Sequence, residues 1–237
     1  WATNVNKAVE DNDKGLVTSN SFLGVFYPSG STSDNFGNNI VVPASHMMLR
    51  TIALSDQVSF PWFAPAGTRR GGITNASSTG YINAEGEFVS TALNEGQRDT
   101  LYTNKVNPIT FITGAGLVNY GQKTRFAGTS SLDRINVSRL VIYLRSQLNK
   151  LARPFVFEPN DKITRDEIKA QAESLLLELV GNRAIFDFLV VCDESNNTPT
   201  RIDRNELYLD IAIEPVKAVE FIYIPLRLKN TGEIAGL

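Results

Sequence analysis

The feature that most constrains the fold is a long amphipathic helix, predicted to run from near Ser130 to Phe155. Its apolar residues recur at intervals of three and four, a spacing that places side chains on one face of an α-helix. They are Val137, Leu140, Val141, Leu144, Leu148, Leu151 and Phe155. Ser130 and Asp133 have the spacing of a capping box and are expected to start the helix. Because one face is apolar along its whole length, the helix must pack against another layer of the protein.

Basic residues lie outside this apolar stripe, mostly on the opposite face of the predicted helix. They are Arg134, Arg139, Arg145, Lys150 and Arg153. Such a face can be an ordinary solvated surface, or it can contact an acidic protein partner. The residues alone leave both interpretations open.

The chain after this helix is predicted to continue as helix, strand, strand and strand. Thr164 and Glu167 form a second capping-box pair, and Gly181 has the position of a left-handed C-cap. The strands are expected at 188–192, 207–213 and 219–228. The first is a nearly continuous apolar run, which is typical of a strand covered on both faces. The last carries Pro225, which cannot donate to a ladder and therefore places this strand at a sheet edge.

The first half of the chain is irregular and rich in β structure. Residues 1–20 are polar and predict a linker or arm that continues from a missing N-terminal part. The further expectations are a strand at 21–27, a loop at 28–39, a helix from Pro43, a packed loop at 60–72, a surface segment at 73–96, a short helix at 95–104 and a hairpin at 109–120. Together the elements predict an α+β (mixed α/β) fold, with a small mixed β-sheet and flanking helices. The domain is expected to span residues 21–228, with residues 229–237 as a C-terminal tail.

Composition narrows the classes of function. The formal net charge of −2 argues against a strongly basic nucleic-acid binder. Cys192 is the only cysteine, so no internal disulfide can form. No apolar run approaches the ~18–20 residues that a membrane-spanning helix needs. We therefore expect no nucleic-acid partner and no membrane insertion.

Segments that approximate active sites have the wrong spacing. The segment Gly116-Leu-Val-Asn-Tyr-Gly-Gln-Lys-Thr124 approximates a phosphate-binding P-loop, but Gln122 separates the glycine from Lys123. The segment 193–204 lacks the glycine and the closing carboxylate of a calcium loop. His46 is the only histidine, and Cys192 closes an apolar strand, so both are expected to be structural. The sequence thus predicts no catalytic, cofactor-binding or metal site, and no enzyme.

A series of short segments carries a family resemblance. It is centred on Asp133-Arg-Ile-Asn-Val-Ser-Arg-Leu140, followed in order by 157–161, 191–199, 202–206, 213–217 and 220–224. Upstream, the series contains 62–67, 69–71, 98–102, 107–108 and 121–124. In this order the segments resemble the C-terminal portion of the contractile tail sheath proteins of T-even-like myophages.

The resemblance implies a mechanical function rather than a chemical one. Sheath subunits of such bacteriophages polymerise as stacked hexameric rings around the tail tube and contract to drive the tube through the host envelope. The implied partners are neighbouring sheath subunits, the tail tube protein, and the baseplate and tail terminator proteins. The implied location is the virion tail, with assembly in the cytoplasm of the host bacterium.

Two interfaces are expected from the resemblance. The terminal strand would be exchanged with a neighbouring subunit through Val219, Phe221, Ile222, Tyr223, Ile224, Leu226 and Leu228. The tail tube would contact the basic face formed by Arg134, Arg139, Arg145, Lys150 and Arg153.

Other interpretations stay open at this point. A sheath of an R-type bacteriocin or of a type VI secretion system would share the architecture. The interpretation as a small α/β nucleotide-binding hydrolase is supported only by the loop at 116–124. A non-contractile capsid or tube protein is disfavoured by the order of helices and strands.

Overall fold

The computed structural model describes residues 2–16 and 19–225. Its helices and strands are α1 (Val5–Gly15), β1 (Val25–Tyr27), β2 (Ser29–Ser33), β3 (Asn39–Val42), α2 (Ala44–Val58), α3 (Gly67–Arg70), β4 (Ser78–Ile82), β5 (Phe88–Ser90), α4 (Glu95–Thr103), β6 (Val106–Ile112), β7 (Gly116–Asn119), α5 (Ile135–Ala152), α6 (Lys162–Gly181), β8 (Ile185–Val191), α7 (Pro199–Asp203) and β9 (Asp210–Pro215). Short 3-10 turns flank α5 at Ser131–Asp133 and Arg153–Phe155. The predicted α+β class is confirmed.

The described strands form three small sheets rather than the single sheet expected from the sequence. In the first, β1 pairs with β6 in parallel, and β6 pairs with β7 as the predicted hairpin. The second sheet is antiparallel and has the order β3-β2-β4-β5. The third consists of β8 and β9, which pair antiparallel with each other. No helix in the described part of the chain is long and apolar enough to cross a membrane.

The long helix packs as its apolar stripe predicts. Val137, Leu140 and Leu144 are buried, and the other stripe residues are half-buried. This face of α5 meets Leu176 and Leu179 of α6 together with the β8–β9 sheet, which makes the largest core of the described chain.

The predicted packed loop at 60–72 joins this same core. The Trp62 ring is 5% exposed and stacks on Phe60 with the ring centroids 4.6 Å apart. Its Nε1 donates to the carbonyl of Asn182 at 3.1 Å, at the end of α6. Trp62 thereby ties the loop to the helical layer by both packing and a hydrogen bond.

The capping box expected at the start of α5 does not form. The helix begins at Ile135, whose amide donates to the carbonyl of Gln122 at 2.8 Å. The Ser130 hydroxyl accepts from the amide of Leu132 and starts the preceding 3-10 turn instead. Pairing with the distant loop at 121–124 therefore decides where α5 begins.

Both ends of α6 also differ from the sequence prediction. Asp161 is the N-cap, and its carboxylate accepts from the amide of Thr164 at 2.9 Å. Gly181 is still helical, and Arg183 adopts the left-handed conformation with φ of 61°. A capping aspartate just before the predicted box competes with Thr164 for the same helix start.

The polar N-terminal segment is a helix over Val5–Gly15, which corrects the expectation of a linker or arm over residues 1–20. Asn4 caps it, since its side-chain oxygen accepts from the amide of Lys7 at 2.9 Å. Val5 and Ala8 are buried in a small core that includes Leu101 of α4. The helix is short and mostly polar, so apolar periodicity reveals it poorly.

The segments expected as a loop at 28–39 and as a surface segment at 73–96 contain strands β2, β4 and β5 of the second sheet. β2 and β4 are rich in serine, threonine and glycine rather than apolar residues. A Cβ added to Gly80 would lie 2.1 Å from the carbonyl oxygen of Val89 in the neighbouring strand. Glycine therefore permits close pairing here, and the alternation of apolar residues cannot reveal such a strand.

The end of the described chain lacks the third strand expected from the sequence. β9 ends at Pro215, and no strand follows within the described residues up to Pro225. The predicted strand at 219–228 pairs with no strand of the described chain at residues 219–225, and its exchange with a neighbouring subunit stays a prediction. Leu226 and Leu228 lie outside the described residues.

Candidate functional site

The β8–β9 sheet has unpaired edges, because among the described residues each of its strands pairs only with the other. Ile211 and Ile213 of β9 pack toward the core formed with α5 and α6. Phe186 and Leu189 of β8 are 63% and 61% exposed, so this strand is not covered on both faces as expected. An unpaired strand edge presents free backbone donors and acceptors to any additional strand.

Residues 216–225, here called the C-terminal segment, carry an exposed run of large apolar side chains. Val219, Phe221, Ile222, Tyr223 and Ile224 are between 65% and 87% exposed. Exposed contiguous apolar surface of this kind marks an interaction site rather than a solvated surface. The segment therefore has the chemistry of a strand that lacks a partner.

Glu220 interrupts this run, and its side chain is only 16% exposed. Arg134 holds its carboxylate in a bidentate pair, with Nε–Oε1 at 2.5 Å and Nη2–Oε2 at 3.0 Å. Gln122 Nε2 donates to Oε1 at 3.1 Å. Burial alone would raise the pKa of Glu220, but the hydrogen bonds from Arg134 and Gln122 outweigh it and hold the pKa below its usual range. Glu220 was not predicted as a site residue, although a single acid within an apolar run is a signal that can be read from the sequence.

Two of the five basic residues are not part of an open basic face, which corrects the prediction for them. Arg134 is committed to Glu220 and also pairs with Asp133 at 2.7 Å. Arg139 Nη2 lies 2.5 Å from Asp56 of α2, and its side chain is 17% exposed. Each arginine faces a carboxylate of the same chain, and helical periodicity cannot show such pairs because Asp56 and Glu220 are distant in sequence.

Arg145, Lys150 and Arg153 are exposed along α5 and at its C-terminal end. They form the remaining basic face, and we use this name for these three residues. Their contact with a tail tube stays a prediction.

The P-loop-like segment at 116–124 is a packing element. Lys123 Nζ donates to the carbonyl of Tyr102 at 2.8 Å and lies 4.2 Å from the centroid of the Tyr102 ring. Burial lowers the pKa of Lys123. A Cβ on Gly121 would approach Asn107 Oδ1 to 2.8 Å, so glycine is needed for close packing. The lysine is thus directed into the protein, and the basis of the hydrolase interpretation disappears.

Asn107 connects this loop to the first sheet and was not anticipated from the sequence. The residue is fully buried. Its Nδ2 donates to the carbonyls of Val25 at 2.9 Å and Lys123 at 2.8 Å. Its Oδ1 accepts from the amide of Lys123 at 2.7 Å. One side chain therefore holds β1, β6 and the loop together.

The calcium-loop-like segment at 193–204 is a polar turn, as expected, only as far as Thr198, because Pro199–Asp203 form α7. Asn197 Nδ2 donates to the carbonyl of Tyr208 at 2.9 Å, and Asp193 accepts from the amide of Ser195 at 2.8 Å. Burial raises the pKa of the nearby Cys192 thiol. His46 is exposed on α2 rather than packed in its apolar face. Within residues 2–16 and 19–225, no group of three or more potential ligands could hold a metal ion.

Comparison with known proteins gives the class to which this architecture belongs. Residues 128–229 match the family described as the phage tail sheath C-terminal domain. This match begins just before α5 and contains α5, α6, the β8–β9 sheet and the C-terminal segment. Residues 128–229 therefore belong to the phage tail sheath C-terminal domain family, as the series of segments predicted.

Individual relatives agree with this assignment. The chain is 36% identical over 199 residues to the tail sheath protein of Vibrio phage KVP40, covering 82% of this chain and 28% of the relative. It is 34% identical over 203 residues to the tail sheath protein of Enterobacteria phage T4, covering 83% of this chain and 29% of the relative. The chain thus spans less than a third of the length of these relatives.

Solved structures share the fold at lower sequence identity. The sheath complex of an extracellular contractile injection system, in its contracted state, superposes with a TM-score of 0.77 at 20% identity, covering 95% of this chain and 61% of that chain. The contracted helical sheath of the anti-feeding prophage gives a TM-score of 0.76 at 20% identity, covering 90% and 57%. At this identity the similarity establishes the fold alone.

Proposed function

We propose that this chain is part of a structural subunit of a bacteriophage contractile tail sheath. The subunit polymerises as stacked hexameric rings around the tail tube and contracts to drive the tube through the host envelope. This function is mechanical and requires no catalytic site, because the free energy is stored in subunit contacts that have two alternative arrangements. The relationship to tail sheath proteins of phages supports the proposal.

The observation that carries the proposal is the pairing of two complementary features on one chain. Among the described residues, the β8–β9 sheet offers unpaired strand edges, and the C-terminal segment offers an exposed apolar run that pairs with no strand. A segment from one subunit can add to the sheet of the next, which shares main-chain hydrogen bonds between them. Because each subunit both donates and accepts, the contact is heterologous and propagates along an assembly.

Deletion of the exposed part of the C-terminal segment tests this proposal. The deletion should begin at residue 221, because removal of Glu220 would also leave Arg134 half-buried without its carboxylate. We expect the chain lacking 221–237 to stay folded by circular dichroism and to form no sheath-like polymers in negative-stain microscopy. A chain lacking only 229–237 is the matched control. Normal polymers from the longer deletion would rule out exchange through this segment.

The remaining basic face is the proposed contact with the tail tube. The three residues carry like charges at the surface, so an acidic tube surface would attract them. Lys150→Glu should weaken co-assembly with tubes, most strongly at low salt, where screening is weakest. Arg69→Glu makes the same charge change at an exposed residue of α3 and serves as the control. If the two variants co-assemble with tubes equally well at all salt concentrations, the remaining basic face is an ordinary solvated surface.

The remaining partners follow from the same proposal. They are neighbouring sheath subunits, the tail tube protein, and the baseplate and tail terminator proteins at the two ends of the tail. The subunit would be assembled in the cytoplasm of the host bacterium and reside in the virion tail. Co-purification of the chain with intact tails, detected by mass spectrometry, tests the location.

A further inference from the structure

Beyond Val216, whose amide donates to the carbonyl of Ala184 at 3.0 Å, the described C-terminal segment is held to its own subunit by the side chain of Glu220. Val219 and Phe221 on either side of Glu220 are 78% and 65% exposed, whereas the Glu220 side chain is 16% exposed. The usual distribution is therefore inverted, since the apolar side chains face outward and the charged one is directed inward. Such an inversion needs a specific receptor for the charge, because an unpaired carboxylate is costly to bury.

The receptor is a socket formed by Gln122, Arg134 and Tyr102, and we use this name for those three residues. Arg134 supplies the bidentate pair, and Gln122 supplies one further hydrogen bond. Tyr102 lies beside the carboxylate, and burial together with the charge of Glu220 raises the pKa of its phenol. The socket thus contains all the polar groups that a carboxylate requires.

The socket is rigid because its parts are fixed by the loop at 121–124. Arg134 forms a β-bridge with Lys123, and the amide of the following residue donates to the carbonyl of Gln122 at 2.8 Å. Lys123 is itself anchored on Tyr102. The P-loop-like segment therefore acquires a role: it positions Gln122 and the start of α5 around Glu220.

We propose that Glu220 and its socket fix the root of the C-terminal segment, so that the exchanged strand begins at Phe221 and leaves the subunit in one defined direction. Glu220 is thus a positioning residue for strand exchange, which rests on the function proposed above. A bidentate arginine–carboxylate pair is suited to this role because it fixes orientation as well as distance. When the root is fixed, a larger fraction of subunits has a C-terminal segment in the direction needed to pair with the sheet of a neighbouring subunit.

The position of the segment can be measured directly by spin labels in the unassembled chain. The exposed residues Val219 and Leu177 are replaced by cysteine and labelled, while Cys192 is 1% exposed and escapes labelling. We expect a narrow distance distribution in the labelled parent, a broad one with Glu220→Gln, and recovery with Glu220→Asp, which keeps the charge. Glu85→Gln, the same change at an exposed residue between β4 and β5, should leave the distribution narrow. If the distance distribution is unchanged in Glu220→Gln, the proposal that Glu220 fixes the root of the segment is refuted.

Assembly is then measured in the same variants without labels. We expect Glu220→Gln to raise the critical concentration for polymerisation about tenfold, since fewer subunits present a correctly directed segment. Glu220→Asp and Glu85→Gln should stay close to the parent. A broadened distance distribution with unchanged assembly overturns the positioning role and leaves strand exchange intact. Loss of assembly on deletion of 221–237 tests strand exchange separately, so the two failures are distinguishable.

Discussion

Replacement of Asn107 by aspartate is the sharpest test of how the loop at 121–124 is held. The side chain is fully buried and donates two hydrogen bonds through Nδ2, to the carbonyls of Val25 and Lys123. Aspartate has nearly the same shape but places an acceptor oxygen at the position of Nδ2. The variant therefore removes two donors and directs a negative charge at two carbonyl oxygens without creating a cavity.

The size of the effect follows from these contacts. Each lost hydrogen bond costs about 0.5–1.5 kcal/mol net, and each buried carbonyl left without a donor costs roughly 1–3 kcal/mol. These terms overlap, so we expect Asn107→Asp to lower the free energy of unfolding by about 3–5 kcal/mol at neutral pH. Domains have only about 5–15 kcal/mol of stability, so the variant should be close to unfolding.

The loss of stability in Asn107→Asp should depend on pH, and the direction of this dependence can be predicted. Burial and the facing carbonyls should raise the folded-state pKa of the introduced carboxyl above its unfolded value of about 3.9. The protonated form can donate one hydrogen bond to a carbonyl. The relative loss of stability should therefore be smallest below the unfolded pKa and grow as pH rises through the folded-state pKa.

The assay is urea unfolding followed by the fluorescence of buried Trp62, at pH 4 and pH 7, for the parent and two variants. Asn149→Asp introduces the same change at an exposed residue of α5 and should stay within about 0.5 kcal/mol of the parent. A loss of under 1 kcal/mol for Asn107→Asp at pH 7, or a larger loss at pH 4 than at pH 7, would refute the proposed hydrogen-bond geometry.

Three further measurements address other parts of the chain. Trp62→Phe removes the hydrogen bond to Asn182 and part of a buried ring, so it should cost about 1–2 kcal/mol in urea unfolding, against about 3–5 kcal/mol for Trp62→Ala. Phe157 has φ of 77°, a left-handed conformation that is strained for a residue with a side chain, and its side chain is fully exposed. Phe157→Gly removes this backbone strain and should raise the melting temperature. A lower melting temperature would show that the Phe157 side chain packs against the protein in solution. The Glu220 anchor should be fully present above the usual glutamate pKa of about 4.3 and lost as pH falls through the lower folded value, because Arg134 favours the charged form. Broadening of the spin-label distances only on acidification checks this sign.

Helices α2, α4, α5 and α6 and the hairpin of β6 and β7 could be predicted because their sequences carry their own evidence. The stripe from Val137 to Leu144 has helical spacing and is buried as expected. The glycines of the turn at 114–116 have positive φ, the conformation that a tight hairpin requires of them. In these elements local preference and tertiary packing agree.

The polar strands and the ion pairs could not be predicted for a common physical reason. β2 and β4 are held by main-chain pairing between serine, threonine and glycine residues, which leaves no apolar alternation. Arg139 and Arg134 bind carboxylates that are distant in sequence, and helical periodicity places both among outward-facing residues. These contacts depend on which distant segments of the chain meet in the fold, and the local sequence pattern does not contain that information.

The strand predicted at 219–228 is not paired at residues 219–225 within the described chain, for a different reason. The apolar residues there have the composition of a buried strand, yet the described ones are exposed, and the single acid among them is the residue directed inward. The apolar composition of a segment indicates that it is buried once the protein is assembled. In a polymer, the surface that buries it can belong to another subunit. If strand exchange occurs as proposed, the pattern from Phe221 onward describes the assembly, whereas Glu220 marks the last residue whose environment is set by its own chain. The boundary between folding and assembly would then fall between these two neighbouring residues.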